Sequence, residues 1–433
     1  MKKDLKAKLI NRKIKKPNQF LMTIGMWVVG IMNRSYGVEF NYDYNLKEID
    51  GKPVILLSSH ASRLEFLYTV YGFHRKDINV VCGYQNIMKK GLYRLFIWFG
   101  AISKYLYQPD FVSTKKMLSV LRRGGALGIF PEGIQSTSGS THPINPATAQ
   151  FIKSSKAYVV VCTTRGAYLA TNRYSKDRKK GYIGVNYTLL FTPETLKELS
   201  VDEIYEKILR EIRYNDFEYN KIARNKYVGK LPNAFGIDKI LYKCPDCKEE
   251  HVLRVDNDTL ICDKCGFAVR INEYYDLISV KGKAAFENID EWYKWQRRCV
   301  AEEIRDDDFK LTLEASLCAL RTDKLRKSPR DKQILSVGKV NLTNKGLTVA
   351  GKLDGQDANF VFDAKSVYSL TFSTQGYLEF YYNNDYFMIV PSINDKCLIK
   401  WTLASEEIHN LYDERWKAAC RDVYDYSKGE IYG

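Results

Sequence analysis

The feature that most constrains the fold is an alternation of short apolar runs with helix-like segments between about residues 36 and 240. The runs "PVILLSS" (53–59), "ALGIF" (126–130) and "AYVVVCTT" (157–164) read as buried strands. The segments between them, such as "KKMLSVLRRG", carry apolar residues at helical spacing. Alternating strands and helices are typical of a sheet covered by helices on its faces. We therefore predict a mixed, mostly parallel α/β sheet flanked by helices over residues 36–240.

The rest of the chain follows other patterns, and 433 residues are too many for one ordinary core. Residues 241–275 hold two cysteine pairs, and residues 276–305 read as a helical linker with charged faces. From 306 to 433, alternating apolar residues and turn sequences predict an antiparallel β-rich domain. One helix over about 396–424 should close it. Strands closed by a single C-terminal helix resemble a pleckstrin-homology (PH) or GRAM domain.

Four of the ten cysteines predict a metal site. Two C-x2-C pairs, Cys244 with Cys247 and Cys262 with Cys265, are separated by 14 residues. Four thiolates at this spacing are typical of a closed, tetrahedral structural zinc site, so we predict a small zinc ribbon over 241–275. The other six cysteines are scattered singly, which indicates a reducing compartment rather than a disulfide framework.

The N-terminal segment combines charge with apolar residues. Residues 1–16 carry eight Lys or Arg against one Asp, and residues 20–32 are largely apolar. Asn33 and Arg34 follow where a signal peptide would have a small-residue cleavage site. The apolar stretch is also shorter than the roughly 20 residues that cross a bilayer as a helix. We predict that residues 1–35 are a basic amphipathic segment lying in the membrane interface; the alternative is a buried core helix with a solvated basic tail.

The charge distribution supports an anionic partner. The formal net charge is +16, yet residues 331–433 hold 11 basic against 14 acidic residues. A basic front end is expected to meet phospholipid headgroups or nucleic acid. The basic residues adjoin an apolar segment instead of alternating with aromatic residues, which favours lipid and makes nucleic acid a poor candidate. We therefore expect a peripheral protein on the cytoplasmic face of a membrane.

A candidate catalytic pair follows the first predicted strand. In "SSHASRLE", His60 stands on a strand-to-helix turn and Glu65 falls in the first turn of the helix. From there the carboxylate can reach back to one imidazole nitrogen and leave the other free to act as a base. The motif "FPEG" (130–133) follows another predicted strand and places Glu132 at the same edge of the sheet. A base of this kind suits transfer of an activated acyl group to a hydroxyl.

These two motifs, in this order, resemble those of the glycerophospholipid acyltransferase family, which includes 1-acylglycerol-3-phosphate acyltransferases. The first family motif, N-H-x-S-x-x-D, corresponds to residues 59–65, and the third, F-P-E-G-T-R-S, to residues 130–136. We assign the second motif to "GAISK" (100–104) and the fourth to "VVVCTT" (159–164). The resemblance covers about residues 20–170. It implies an α/β fold, acyl-CoA or acyl-carrier-protein as donor, a lysophospholipid acceptor, and a His60–Glu65 pair that activates the acceptor hydroxyl.

The chain departs from the family pattern at the predicted acceptor site. Glu65 replaces Asp, and Gln135 replaces the arginine expected to hold the acceptor phosphate; a neutral amide cannot provide a charged bidentate grip. Lys104 or Arg165 could supply that charge. The substrate-binding residues predicted in this way are Ser62, Arg63, Lys104, Glu132, Gly133, Gln135 and Arg165. Two alternatives stay open: a non-catalytic lipid- or nucleic-acid-binding protein on this fold, and acyl transfer to a non-phospholipid acceptor.

Overall fold

A computed structural model describes residues 5–175, 177–283, 286–326, 331–393 and 398–424. The chain divides into two compact units. The first runs to Lys230 and includes Thr322–Leu325, and the second comprises Leu231–Arg321 and continues from Arg326. The outer ends of the predicted first and last domains, residues 1–4 and 425–433, lie outside the described residues, as do residues 396 and 397 of the predicted final helix.

The helices of the described residues, in chain order, are α1 (Leu5–Asn11), α2 (Gln19–Ser35), α3 (Glu65–Gly72), α4 (Tyr84–Ile87), α5 (Tyr93–Trp98), α6 (Phe111–Arg122), α7 (Ala147–Ser155), α8 (Ala167–Ala170), α9 (Pro193–Glu198), α10 (Val201–Ile212), α11 (Asp216–Ala223), α12 (Ile289–Glu303), α13 (Leu398–Asn410) and α14 (Glu414–Tyr424).

The strands of the described residues, in chain order, are β1 (Val38–Tyr42), β2 (Val54–Ser58), β3 (Ile78–Gly83), β4 (Ile102–Lys104), β5 (Ala126–Ile129), β6 (Tyr158–Arg165), β7 (Ile183–Phe191), β8 (Leu253–Asp256), β9 (Thr259–Cys262), β10 (Ala268–Ile271), β11 (Leu277–Lys281), β12 (Lys310–Ala319), β13 (Gln333–Thr343), β14 (Gly346–Leu353), β15 (Gln356–Asp357), β16 (Phe360–Asp363), β17 (Thr371–Ser373), β18 (Tyr377–Tyr382) and β19 (Asp385–Pro391).

The first unit is built on a seven-stranded sheet with the order β1-β7-β6-β2-β5-β3-β4. The pair β6–β7 is antiparallel, and the other neighbouring pairs are parallel. The predicted mixed, mostly parallel α/β sheet is therefore confirmed. The central strand β2 is buried over its whole length, which explains why its sequence is a continuous apolar run and not an alternating one.

Amphipathic helices cover this sheet. Helix α10 begins at a capping box in which Ser200 and Glu203 each bond the other's backbone N–H. Its residues Ile204, Ile208 and Ile212 recur every fourth position and are fully buried in the main core, together with side chains of β2, β5 and β6. This packing fixes the strands whose carboxyl ends carry the candidate site.

Helix α2 leaves one apolar face uncovered. Its exposed apolar residues share one side of the helix, because they recur at spacings of three, four and seven; they are Phe20, Ile24, Trp27, Val28 and Ile31. The backbone N–H of Asn18, which caps the helix, donates to Trp98 O at 2.8 Å. Trp98 ends α5 and is exposed, as are Leu95 in the same helix and Leu92 directly before it. Within the described ranges, no helix has both the length and the apolarity required to cross a bilayer.

The second unit contains two antiparallel sheets. The smaller one has four strands in the order β11-β10-β9-β8, and the larger one has the path β15-β14-β13-β12-β19-β18-β17, with β16 paired to β14. The region 276–305, predicted as a helical linker, contains strand β11 as well as helix α12. A separate antiparallel β-rich region is therefore present, as expected from the alternating sequence.

The single C-terminal helix predicted over about 396–424 is wrong, because two helices are present. Helix α13 ends at Asn410 and α14 begins at Glu414. Asp413 starts the second helix: its Oδ1 accepts the backbone N–H groups of Arg415 at 3.1 Å and Trp416 at 3.0 Å. An aspartate that caps a helix in this way favours a new start over continuation of the preceding helix.

Candidate functional site

The candidate site lies at the carboxyl ends of parallel strands. Strand β2 pairs in parallel with β5 on one side and β6 on the other, so all three end at the same edge of the sheet. His60 follows β2, Glu132 follows β5, and Arg165 ends β6. In open α/β sheets this edge is where ligands bind.

His60 and Glu65 are brought together there. Glu65 is the first residue of α3, and its Oε2 lies 3.8 Å from His60 Nδ1. That distance is too long for the hydrogen bond expected from the sequence. His60 Nδ1 is buried and has no hydrogen-bond partner among the described residues, while the imidazole ring packs on Phe130 with 4.8 Å between centroids. Catalytic hydrogen bonds are often long without substrate and shorten when it binds.

Glu65 is held firmly in this position. Its carboxylate is fully buried, and Oε1 accepts hydrogen bonds from Ser59 Oγ at 2.7 Å and Thr164 Oγ1 at 2.9 Å. Oε2, the oxygen that faces the imidazole, also accepts the backbone N–H of Ser62 at 3.2 Å. Three donors fix the carboxylate in front of His60, as preorganised catalysis requires. Sequence reasoning did not assign Ser59 or Thr164 to the site, although both lie within the motif segments.

Glu132 braces the loop that carries His60. It is buried, and its Oε1 accepts the backbone N–H of His60 at 2.7 Å. Its Oε2 accepts the backbone N–H of His142 at 2.7 Å and the hydroxyl of Tyr214 at 3.4 Å. The carbonyl of His60 in turn accepts the N–H of Ser136 at 2.9 Å. Burial raises the pKa of Glu132 to about 8.

The neighbouring motif residues lie in the same loop. Gly133 has a φ of 75°, and a side chain there would meet the Tyr107 ring, so glycine suits this turn. The Tyr107 hydroxyl donates to Glu132 O at 3.1 Å. Gln135 lies two residues further on and is half-buried. Ser62 is buried, and its hydroxyl lies 2.5 Å from the Tyr68 hydroxyl.

The three predicted cations are spread along the sheet. Lys104 ends β4 at one edge of the sheet, separated from β2 by β3 and β5, and burial lowers its pKa. Arg165 ends β6 beside β2 and donates to Arg213 O at 3.5 Å. Arg63 lies in the same loop as His60, donates from Nη2 to Asp177 O at 3.4 Å, and has its pKa lowered by burial. By strand order, Arg63 and Arg165 are nearer to His60 than Lys104 is.

The four predicted metal ligands converge in the second unit. The sulfur atoms of Cys244, Cys247, Cys262 and Cys265 all lie within 4.8 Å of one another. Two of the separations, Cys244–Cys265 and Cys247–Cys262, are 3.8 Å. Zinc–sulfur bonds of about 2.3 Å in a tetrahedral site place the sulfurs about 3.8 Å apart. The cluster therefore fits a metal ion.

The turns around these cysteines suit a metal site. Gly266 has a φ of 75°, and its N–H donates to Cys262 O at 2.9 Å. The N–H of Phe267 points at Cys265 Sγ at 3.4 Å. An N–H group directed at a ligand sulfur stabilises the thiolate form that binds metal.

Comparison with known proteins finds a family model that matches part of the first unit. Residues 38–165 match the family model described as Acyltransferase, a span that includes His60, Glu65 and Glu132. No curated protein matches the chain significantly. Among solved structures, the chain is similar to the 1-acyl-sn-glycerophosphate (LPA) acyltransferase PlsC from Thermotoga maritima, with a TM-score of 0.36 and 12% identity over 44% of this chain and 80% of that one. Residues 38–165, which hold six of the seven strands of the mixed α/β sheet, are therefore similar to the acyltransferase family.

Proposed function

We propose that this protein transfers an acyl group from acyl-CoA or acyl-carrier-protein to the hydroxyl of a lysophospholipid such as 1-acylglycerol-3-phosphate. The observation that carries the proposal is the His60–Glu65 pair, with its carboxylate fixed by three donors 3.8 Å from the imidazole. The family match over residues 38–165 supports the same reaction class.

In the proposed reaction, His60 takes the proton from the acceptor hydroxyl as its oxygen attacks the thioester carbonyl. The carbon–sulfur bond then breaks, and the thiolate leaves and takes up the proton as a free thiol. Glu65 stabilises the imidazolium that forms in between. The protein needs no nucleophile of its own, because the donor is already activated.

Consumption of acyl-CoA against a panel of acceptors tests this function. The panel contains 1-acylglycerol-3-phosphate, lysolipids with other headgroups and a neutral monoacylglycerol, with free thiol as the readout. Turnover with 1-acylglycerol-3-phosphate supports the proposal. Turnover with a non-phosphorylated acceptor alone would indicate the alternative acceptor class. No turnover with any acceptor, with acyl-CoA or acyl-carrier-protein as donor, would contradict the proposed acyltransferase activity.

We infer further that the protein works as a peripheral protein on the cytoplasmic face of a membrane. The apolar face of α2 and the exposed residues of α5 form a candidate insertion surface, and Lys8, Lys13, Lys15 and Lys16 are exposed beside it in the chain. Apolar residues flanked by lysines suit an interface with anionic phospholipid headgroups. Outside the four-cysteine cluster, the described cysteines are free thiols, which fits a reducing compartment.

We also propose that the four-cysteine cluster holds structural zinc within a ribbon formed by β8 to β11. Four thiolates close the coordination sphere and leave no position for substrate, so the role is in folding and not in catalysis. The larger antiparallel sheet, with α13 after its last strand, supports a PH- or GRAM-like module. Its slightly acidic sequence gives no support for phosphoinositide binding.

A further inference from the structure

The acceptor proposed above carries a phosphate, yet Gln135 stands where the family pattern has an arginine. A phosphate monoester needs a charged partner, and two guanidinium groups with fork geometry provide the strongest grip. The loops that follow neighbouring parallel strands are the natural place to search for such a partner. The loop after β2 carries Arg63, and the segment after β6 and α8 carries Arg178.

These two loops contact each other. The backbone N–H of Arg63 donates to Thr171 O at 3.5 Å, and Arg63 Nη2 donates to Asp177 O at 3.4 Å. Arg178 is the next residue after Asp177. Arg63 is therefore held against the segment that carries Arg178. Arg63 itself lies three residues after His60 in the chain. Three residues span at most about 10 Å of backbone, so Arg63 and His60 belong to one short loop.

Both guanidinium groups lack an anionic partner. Arg63 Nε, and Nε and Nη2 of Arg178, are buried and have no hydrogen-bond partner among the described residues. Neither arginine forms an ion pair within that same set of residues. Burial lowers the pKa of each guanidinium, because no neighbouring carboxylate offsets the loss of water. Buried cationic N–H groups without partners destabilise a fold unless a bound anion satisfies them.

The surroundings keep Arg178 in place without neutralising it. Its guanidinium stacks on the Tyr36 ring. The adjacent cation differs: Lys179 Nζ lies 3.4 Å from Asp177 Oδ2 and is paired. Arg63 and Arg178 differ from Lys179 in having no carboxylate partner among the described residues.

We propose that Arg63 and Arg178 together bind the phosphate monoester of the acceptor, in place of the arginine missing at position 135. The inference rests on the proposed acyltransferase function for the identity of the ligand. The site itself requires only that the two guanidinium groups bind a phosphate dianion.

Inorganic phosphate is the first probe, because it binds without any turnover. Phosphate should raise the thermal midpoint of the wild-type protein above its value in chloride at equal ionic strength. Arg63→Gln and Arg178→Gln should each weaken phosphate binding by about tenfold or more, since a hydrogen bond to a charged group is lost. Arg210→Gln, at an exposed arginine of α10, is the matched control and should keep the wild-type response.

The second probe is 1-acylglycerol-3-phosphate in the acyl-CoA assay. Both variants should raise its KM about tenfold while the KM for a neutral monoacylglycerol stays unchanged. Arg178→Lys keeps the charge but not the fork, so it should retain the fold and lose part of the affinity. If Arg178→Gln does not fold, the phosphate affinities of Arg178→Lys and Arg63→Gln test the site instead.

The outcomes test the proposed phosphate site separately from the proposed acyltransferase function. Wild-type affinity for phosphate in folded Arg63 and Arg178 variants would overturn the site, even if acyl transfer occurs. Phosphate binding that is lost in the variants, in a protein that transfers no acyl group, would support the site and contradict the proposed function.

Discussion

At the scale of single residues, the two carboxylates of the site have different roles. Glu65 faces the imidazole and is held by hydroxyl groups and one N–H, whereas Glu132 is bound by the backbone N–H groups of His60 and His142. Among the hydrogen bonds of the described residues, Glu132 makes none to the imidazole of His60. The geometry favours a bracing role for Glu132, while the sequence predicted that it would bind the acceptor.

Glu132 should make stability depend on pH. Burial raises the pKa of Glu132 from 4.5 to about 8, so the folded protein keeps a proton that the unfolded chain releases. The free energy of unfolding should therefore fall as the pH rises from about 4.5 to about 8, by at most about 1.4 kcal/mol per pH unit. Glu132→Gln stays neutral and should flatten that part of the profile.

Urea unfolding of the wild type and of Glu132→Gln between pH 5 and 8 measures this effect. Glu218→Gln is the control, because Glu218 is exposed on α11 and should leave the slope unchanged. Parallel pH profiles for the wild type and Glu132→Gln would show that Glu132 is ionised throughout this range.

Part of this site can be predicted from the sequence, and part of it cannot. A strand-to-helix turn places His60 near Glu65 by local geometry alone, so the pair can be predicted from residues 59–65. The brace at Glu132 depends on the loop 136–142 folding back, and Tyr214 comes from beyond α10, 82 residues away. Arg178 lies in a polar segment without periodicity, so no local pattern marks it. Long-range contacts of this kind need the folded structure.

At the scale of secondary-structure elements, helix α2 carries the membrane proposal. Trp27 is 68% exposed at the centre of its apolar face. Trp27→Glu should weaken binding to vesicles of phosphatidylcholine and phosphatidylglycerol by about tenfold or more, since burial of a large apolar side chain contributes about 1.5–3 kcal/mol. Vesicle co-sedimentation provides the measurement.

A matched control tests whether the loss of any exposed apolar side chain weakens vesicle binding. Ile222 on α11 is 87% exposed, and Ile222→Glu should bind vesicles like the wild type. Equal losses in both variants, or no loss in Trp27→Glu, would contradict the assignment of α2 as the membrane-contacting face.

The four-cysteine cluster is the element whose function depends on a metal. The purified protein should contain about one zinc ion per chain, and Cys262→Ser should lose it because a closed site needs all four thiolates. Loss of zinc should also expose residues 241–281 to proteolysis. Metal analysis by mass spectrometry and limited proteolysis provide the two readouts.

Cys299→Ser is the control for that experiment, because Cys299 lies in α12 outside the cluster. It should keep the zinc and the resistance to protease. A wild-type zinc content near zero after purification in reducing buffer, or full zinc retention by Cys262→Ser, would contradict the structural zinc site.

At the scale of the whole molecule, the periodic parts of the sequence predicted their structures best. Continuous apolar runs such as that of β2 indicate strands buried on both faces, and these form the centre of the parallel sheet. Boundaries were harder to predict: the break at Asp413 between α13 and α14 depends on one capping aspartate within a helical pattern. The two compact units combine an acyltransferase-like domain with an antiparallel β-rich region.

The central claim is that His60 is the general base of an acyltransferase. The measurement that tests it most directly is the rate of acyl transfer from acyl-CoA to 1-acylglycerol-3-phosphate by His60→Ala, compared with the wild type. The rate should fall about a hundredfold or more, since a positioned base contributes that much. His74→Asn, at an exposed histidine near the end of α3, should keep the wild-type rate. Wild-type turnover by a folded His60→Ala protein would contradict the mechanism.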